Sequence, residues 1–108
     1  MKSLFNHYEG SEERCGFILS SGEVVELENV HPEPKTGFEI DAEEILRYID
    51  DIAVIWHTHP GSTGVLSGED KLCILQWPNI SHAIVGEDGI RTYKVVDGAV
   101  VNESHISR

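Results

Sequence analysis

Ile52-Ala53-Val54-Ile55-Trp56-His57-Thr58-His59-Pro60 is the stretch on which the fold of this chain turns. Its first five residues are apolar on both parities, the pattern of a central strand covered on both faces. Pro60 cannot continue such a strand. His57 and His59 sit at its end, and strand residues two apart project from one face, so both imidazoles can reach a single metal ion. A His-x-His pair can equally close a strand without binding anything, so its meaning depends on its surroundings.

Downstream, a Gly-rich loop over residues 61–66 leads to a helix expected from Ser67 to about Trp77, where Pro78 stops it. Gly61 and Gly64 allow that loop to turn sharply. Strands are expected at His82–Val85 and Ile90–Val96, joined at Glu87-Asp88-Gly89, and Asp97-Gly98 turns the chain into Ala99–Val101. The tail from Asn102 is expected to fray. Upstream, residues 2–9 read as a short amphipathic helix on Leu4 and Tyr8, and Cys15–Leu19 as an apolar strand. Ser20-Ser21-Gly22 makes a hairpin turn into a strand over Glu23–Val30. His31-Pro32-Glu33-Pro34-Lys35 reads as a loop. Asp41-Ala42-Glu43-Glu44 is a capping-box pattern opening a helix to about Asp51, with Ile45, Leu46 and Ile49 as its apolar stripe. The expectation is an α/β or α+β domain: one mixed sheet flanked by about three helices.

The chain has 108 residues and a formal charge of −11, with 40% hydrophobic and 25% charged residues. No linker, repeat or low-complexity tract divides it, so residues 1–108 read as a single domain able to bury one core. Nucleic-acid and anionic-membrane partners are disfavoured, since both need clustered Lys and Arg. No apolar run reaches 18 residues, and the first residues lack a signal peptide's apolar stretch. Cys15 and Cys73 form neither a CxxC motif nor a disulfide framework and read as buried small apolar residues; a reducing cytoplasm is the expected setting.

The helix after the histidines starts with Ser67 and carries Asp70 three positions on. Ser-x-x-Asp is itself a helix-start pattern, so capping alone explains half of the constellation. If the loop folds that helix start back over the strand end, Asp70 becomes a third ligand. Two His and one carboxylate, with a fourth position for water, is a catalytic rather than a closed structural zinc set. At roughly one in twenty per position, four such residues at fixed spacing arise by chance in about one chain in a thousand of this length. Other zinc patterns are missing: there is no H-E-x-x-H helix, and no P-C-x-x-C half of a deaminase site.

His57-x-His59, seven residues, then Ser67-x-x-Asp70 resembles the signature of the JAMM metalloproteases, also called MPN-plus, Mov34 or prokaryotic JAB proteins. Glu13-Arg14-Cys15-Gly16 resembles the glutamate that this family places ahead of a Cys-Gly pair. The resemblance spans residues 13–70 and implies a cytidine-deaminase-like fold. It also implies one zinc ion on His57, His59 and Asp70 with water as fourth ligand. In that scheme Glu13 is the proton carrier, rather than its neighbour Glu12, and Ser67 is the oxyanion donor. Peptide or isopeptide hydrolysis follows, often at the tail of a ubiquitin-like protein. Phe38-Glu39-Ile40-Asp41 and Trp77-Pro78 resemble the phage tail-assembly branch, and the short span from Asp70 to Ser81 resembles the minimal prokaryotic or phage form. Two other roles stay open: a tail-assembly or scaffold module with little turnover, and processing of a small sulfur-carrier protein. His7, His31 and His105 show no partner spacing, and His82 reads as a structural histidine.

Overall fold

The computed structural model describes residues 1–107. It is an α+β fold built on a six-stranded mixed sheet. In chain order the elements are a 3₁₀ helix Lys2–His7, β1 (Cys15–Leu19), β2 (Val24–Leu27), α1 (Ala42–Tyr48), β3 (Ile52–Thr58), α2 (Gly68–Gln76), β4 (Ser81–Gly86), β5 (Gly89–Val96) and β6 (Ala99–Ile106). Across the sheet the order is β2-β1-β3-β4-β5-β6. Only β3 and β4 run parallel, and α2 makes the crossover that a parallel pair requires.

The apolar run of β3 is central, and its two parities serve two cores. Val54 and Trp56 face the N-terminal 3₁₀ helix, packing with Leu4, Ile18 and Val85. Ile55 faces the helices, packing with Cys15, Phe17 and Ile40; Ile52 joins that side against its parity, because the register shifts between Ile18 and Leu19 opposite this end of β3. Trp56 is fully buried and its indole N–H donates to the Phe17 carbonyl at 3.2 Å, so the largest side chain leaves no polar atom unpaired. The glycine of the Cys15-Gly16 pair has a steric reason: any Cβ there would run into the Val25 carbonyl of β2.

Several expectations need correction. The tail does not fray at Asn102. β6 continues to Ile106 because its backbone pairs with β5 through Ile90↔Ile106, and Ile106 packs on the core. β2 is shorter than expected, ending at Leu27, since the chain then leaves the sheet to wrap around the strand ends. The first helix is 3₁₀ and ends at His7. α1 ends at Tyr48, and its expected apolar stripe is only partly used: Ile45 packs on the core, whereas Leu46 is 70% exposed and Ile49 43%. The Asp97-Gly98 turn is as expected, with φ of 51° and 79°, the primed geometry of tight hairpins. Among the described residues no helix is long and apolar enough to cross a membrane.

Candidate metal centre

Strand register assembles the centre. β1 and β3 pair antiparallel with Cys15 opposite His57 and Phe17 opposite Ile55. Two residues beyond that last rung, the same register brings Glu13 up to His59. Parity keeps Glu13, Cys15 and Phe17 on the side of the sheet that Ile55 and His57 share. β3 extends past the apolar run to Thr58, which is locked to Arg14 by two bonds of 2.9 Å, Thr58 N–H to the Arg14 carbonyl and Arg14 N–H to Thr58 Oγ1.

α2 supplies the third group. Ser67 is its N-cap: Ser67 Oγ accepts from the Asp70 N–H at 3.0 Å, and Asp70 Oδ2 accepts from the Ser67 N–H at 3.1 Å, a complete capping box. The loop before it is fixed at both ends. The His59 N–H donates to the Val85 carbonyl, the Glu87 N–H donates to the Ser62 carbonyl, and Gly64 donates its N–H to Asp88 at 2.8 Å. Gly61, at φ 69°, makes the bend. The helix start is thereby brought over the strand end.

His57, His59 and Asp70 converge. His57 Nε2 lies 3.1 Å from Asp70 Oδ1, His59 Nε2 lies 2.9 Å from Asp70 Oδ2, and the two Nε2 atoms are 3.1 Å apart. Ligand atoms about 2.0–2.1 Å from a tetrahedral zinc stand about 3.3 Å from one another, so this spacing suits one ion. The partners of His59 fix where its protons can sit. His59 Nδ1 donates to the Thr63 carbonyl at 2.9 Å, which fixes the tautomer. A neutral His59 then turns the Nε2 lone pair towards a carboxylate oxygen. That contact is favourable only with a proton on Nε2 or a metal ion between them.

Glu13 stands beside this trio. It is 8% exposed, and one of its oxygens and the ligand nitrogens of His57 and His59 all lie within 4.8 Å of one another; these three residues too could hold a metal ion. Two carboxylates thus border the pair of imidazoles. Asp70 makes the 2.9 and 3.1 Å contacts to the imidazoles, and Glu13 stands alongside. Glu13 is held by its backbone: its N–H donates to the Pro34 carbonyl at 2.7 Å, and its carbonyl accepts from Asn29 Nδ2 at 2.8 Å.

The electrostatics divide the groups. Burial pushes the Glu13 carboxyl up to about 7; the charge on His59 opposes this and that on Asp70 adds to it. Burial would also raise Asp70, but its bonds to His57 and His59 outweigh that and hold it far below the usual carboxylate range. The buried His57 ring is pushed down towards the neutral form that ligates metals. Burial pulls His59 in the same direction, yet the bond to Asp70 and the Thr63 carbonyl raise it on balance.

Ser67 sits at the exposed rim. Capping uses an oxygen lone pair and leaves the hydroxyl proton to donate elsewhere. Both thiols are pushed up by burial, Cys15 to about 12 and Cys73 to about 11, so neither is a thiolate nucleophile at neutral pH. Two contacts were not legible in the sequence. Phe38 stacks on the His57 ring, with centroids 4.3 Å apart and planes 20° apart. His31, which has no partner by spacing, meets Glu69 at 3.0 Å and ties the loop after β2 to α2. Both arise from the return of the 28–41 loop over the strand ends, a long-range event that leaves no local periodic signal.

No protein-family model matches the chain, and no curated protein matches it. Among solved structures the fold is similar to the solution structure of protein DSY2949 from Desulfitobacterium hafniense. The TM-score is 0.76 at 21% identity, over 98% of this chain and 86% of that one. At that identity the likeness is one of fold.

Proposed function

We propose that the chain is a JAMM-type zinc peptidase that hydrolyses a peptide or isopeptide bond. One observation carries the reading: two imidazole nitrogens and a carboxylate converge within 3.1 Å, with a second, raised carboxylate beside them. His57, His59 and Asp70 would hold the zinc. Once bound, the metal would supply Lewis-acid polarisation of the substrate carbonyl and acidify a water molecule.

The remaining chemistry belongs to the chain. The Glu13 carboxylate takes a proton from the attacking water while the water oxygen bonds to the carbonyl carbon. It then returns that proton to the leaving nitrogen as the C–N bond breaks. A carboxyl near 7 suits both halves of this cycle, because it neither holds nor releases the proton too firmly at neutral pH. Ser67 donates its hydroxyl proton to the oxygen that gains charge. His59 is kept in its ligating tautomer by Thr63, and Phe38 shields His57 from water.

The substrate class is a protein or peptide, with the tail of a ubiquitin-like protein or a phage tail protein as particular forms of it. The test is zinc analysis together with a peptide-library cleavage screen of wild type beside Glu13→Gln. Bound zinc, cleavage by the wild type and a silent but zinc-loaded variant are expected. A wild type that binds no zinc and cuts nothing would refute the reading.

A further inference from the structure

Beside the metal centre, on the same side of the sheet, opens an apolar pocket of about 300 Å³. Its floor is the Phe17–Ile55 pair, the next pair in the column that carries Cys15 opposite His57. One wall is α2, where Cys73 follows Asp70 by one helical turn and Trp77 by two. Phe38 is the partition, lining the pocket while stacking on His57. Glu39 and Glu69 are the charged groups that line it; no Lys or Arg among the described residues does.

Resting on the peptidase reading of the neighbouring centre, we propose that this pocket is the specificity subsite for one bulky apolar side chain of an extended peptide, flanked by a Lys or Arg. Continuity supports the first half: a chain lying across the centre has the pocket within reach along both β3 and α2. Size supports it as well. At the bottom of the ~300–1,000 Å³ range of ligand sites, the pocket suits a single side chain rather than a whole cofactor. Leu72, 66% exposed on its wall, is an apolar contact left largely open to solvent. Charge supports the second half, since Glu39 and Glu69 on a chain of net charge −11 attract a cationic neighbour and repel an acidic one.

Trp77 is a built-in reporter, because it lines the pocket while Trp56 is buried in the opposite core. The experiment titrates the zinc-loaded and the metal-free chain with end-blocked Gly-Gly-Lys-Phe-Gly-Gly, following Trp77 emission, with Trp77→Phe as control. The same peptides are assayed for cleavage. Replacing the peptide's Phe by Ala should weaken binding by about tenfold or more, the effect of losing one buried aromatic side chain. Replacing its Lys by Glu should weaken binding a few-fold, a gap that closes at high salt. Glu39→Lys should reverse that charge preference, and Cys73→Phe, filling the pocket, should erase the preference for an apolar residue. Should Cys73→Phe fail to fold, the peptide series on the wild type decides alone.

Zinc-dependent cleavage indifferent to the apolar residue would overturn the subsite and leave the peptidase standing. Selective binding at Trp77 with neither zinc nor cleavage would keep the pocket and overturn the peptidase. Emission that ignores peptide but changes with protein concentration would show a second copy of the chain covering the pocket, and would overturn the proposal.

Discussion

Helices α1 and α2 open with the same four-residue pattern, Asp41-x-x-Glu44 and Ser67-x-x-Asp70, and put it to different uses. At α1, Asp41 Oδ1 accepts from the Glu43 N–H at 2.8 Å, while Glu44 looks along the helix surface to Arg47 at 3.5 Å. No residue of α1 is buried. At α2 the box is reciprocal, and the carboxylate that closes it is 6% exposed and bonded to two imidazoles. A cap carboxylate costs nothing extra when it faces water. A buried one needs cationic or hydrogen-bonding partners. The difference lies in what each helix start abuts: solvent for α1, the end of β3 for α2. One capping signature thus yields a simple helix start in one place and a metal-ligand candidate in the other.

The largest effect expected from breaking this contrast is at Asp70. Asp70→Ala should abolish zinc retention, measured as metal per chain after reconstitution and desalting, and with it the proposed hydrolysis. Glu44→Ala, the matching change in α1, should leave both unchanged; equal metal content in the two variants would mean that the two helix starts do not differ in function. Next comes Glu13→Gln, which should lower turnover by about 10²–10⁴ with zinc still bound. Loss of zinc in this variant would make Glu13 a ligand in its own right. The same change bears on stability. A carboxyl raised to about 7 favours folding fully below its unfolded value of 4.5 and loses that contribution as pH rises through 7. Metal-free Glu13→Gln should therefore melt higher than metal-free wild type above pH 7. The gain is on the order of 1–3 kcal/mol, at about 1.4 kcal/mol per factor of ten in proton affinity.

His82 separates the acid sensitivity of the core from that of the metal centre. Burial, reduced by a weak contact with the Trp77 carbonyl, pushes it down to about 4. The unfolded chain therefore binds a proton near 6.5 that the folded chain refuses until about 4, and stability falls as pH drops through that window. In chemical denaturation between pH 7 and 4, His82→Leu should flatten this limb by roughly 1–3 kcal/mol. An unchanged slope would assign the acid loss to His57, the other buried histidine pushed towards its neutral form, because Asp70 loses its contribution only below its unfolded value of 3.8. The smallest effects are the caps themselves. Ser67→Ala should cost about 1 kcal/mol of stability and Asp41→Ala the same or less, since α1 adds little packing of its own. Leu46→Lys, at an exposed position, should stay within about 0.5 kcal/mol of wild type.

Much of this architecture was legible from local pattern. An apolar run on both parities marked β3 as central, Ser67 and Pro78 bracketed α2, and Asp97-Gly98 marked the last hairpin. These signals are readable because they follow from backbone geometry and immediate neighbours. The expectations that failed concern partners far away in sequence. Asn102 to Ile106 read as a loose end because their ordering comes from β5, not from their own composition. Leu46 and Ile49 had the spacing of a buried stripe, but at the end of so short a helix they stay 70% and 43% exposed. Phe38 was marked only as part of the Phe38-Glu39-Ile40-Asp41 resemblance, with nothing to pair it with His57, and His31 showed no partner spacing.

By itself, then, the sequence determined which elements form, and it named His57, His59, Asp70 and Glu13 as the residues to watch. Tertiary structure alone decided that Asp70 reaches both imidazoles, that Glu13 is buried enough to be raised, and that an apolar pocket adjoins them. The physical reason is range. Helix caps and strand parity are set within a few residues, whereas convergence and burial depend on loops that bring together groups up to 57 positions apart, from Glu13 to Asp70.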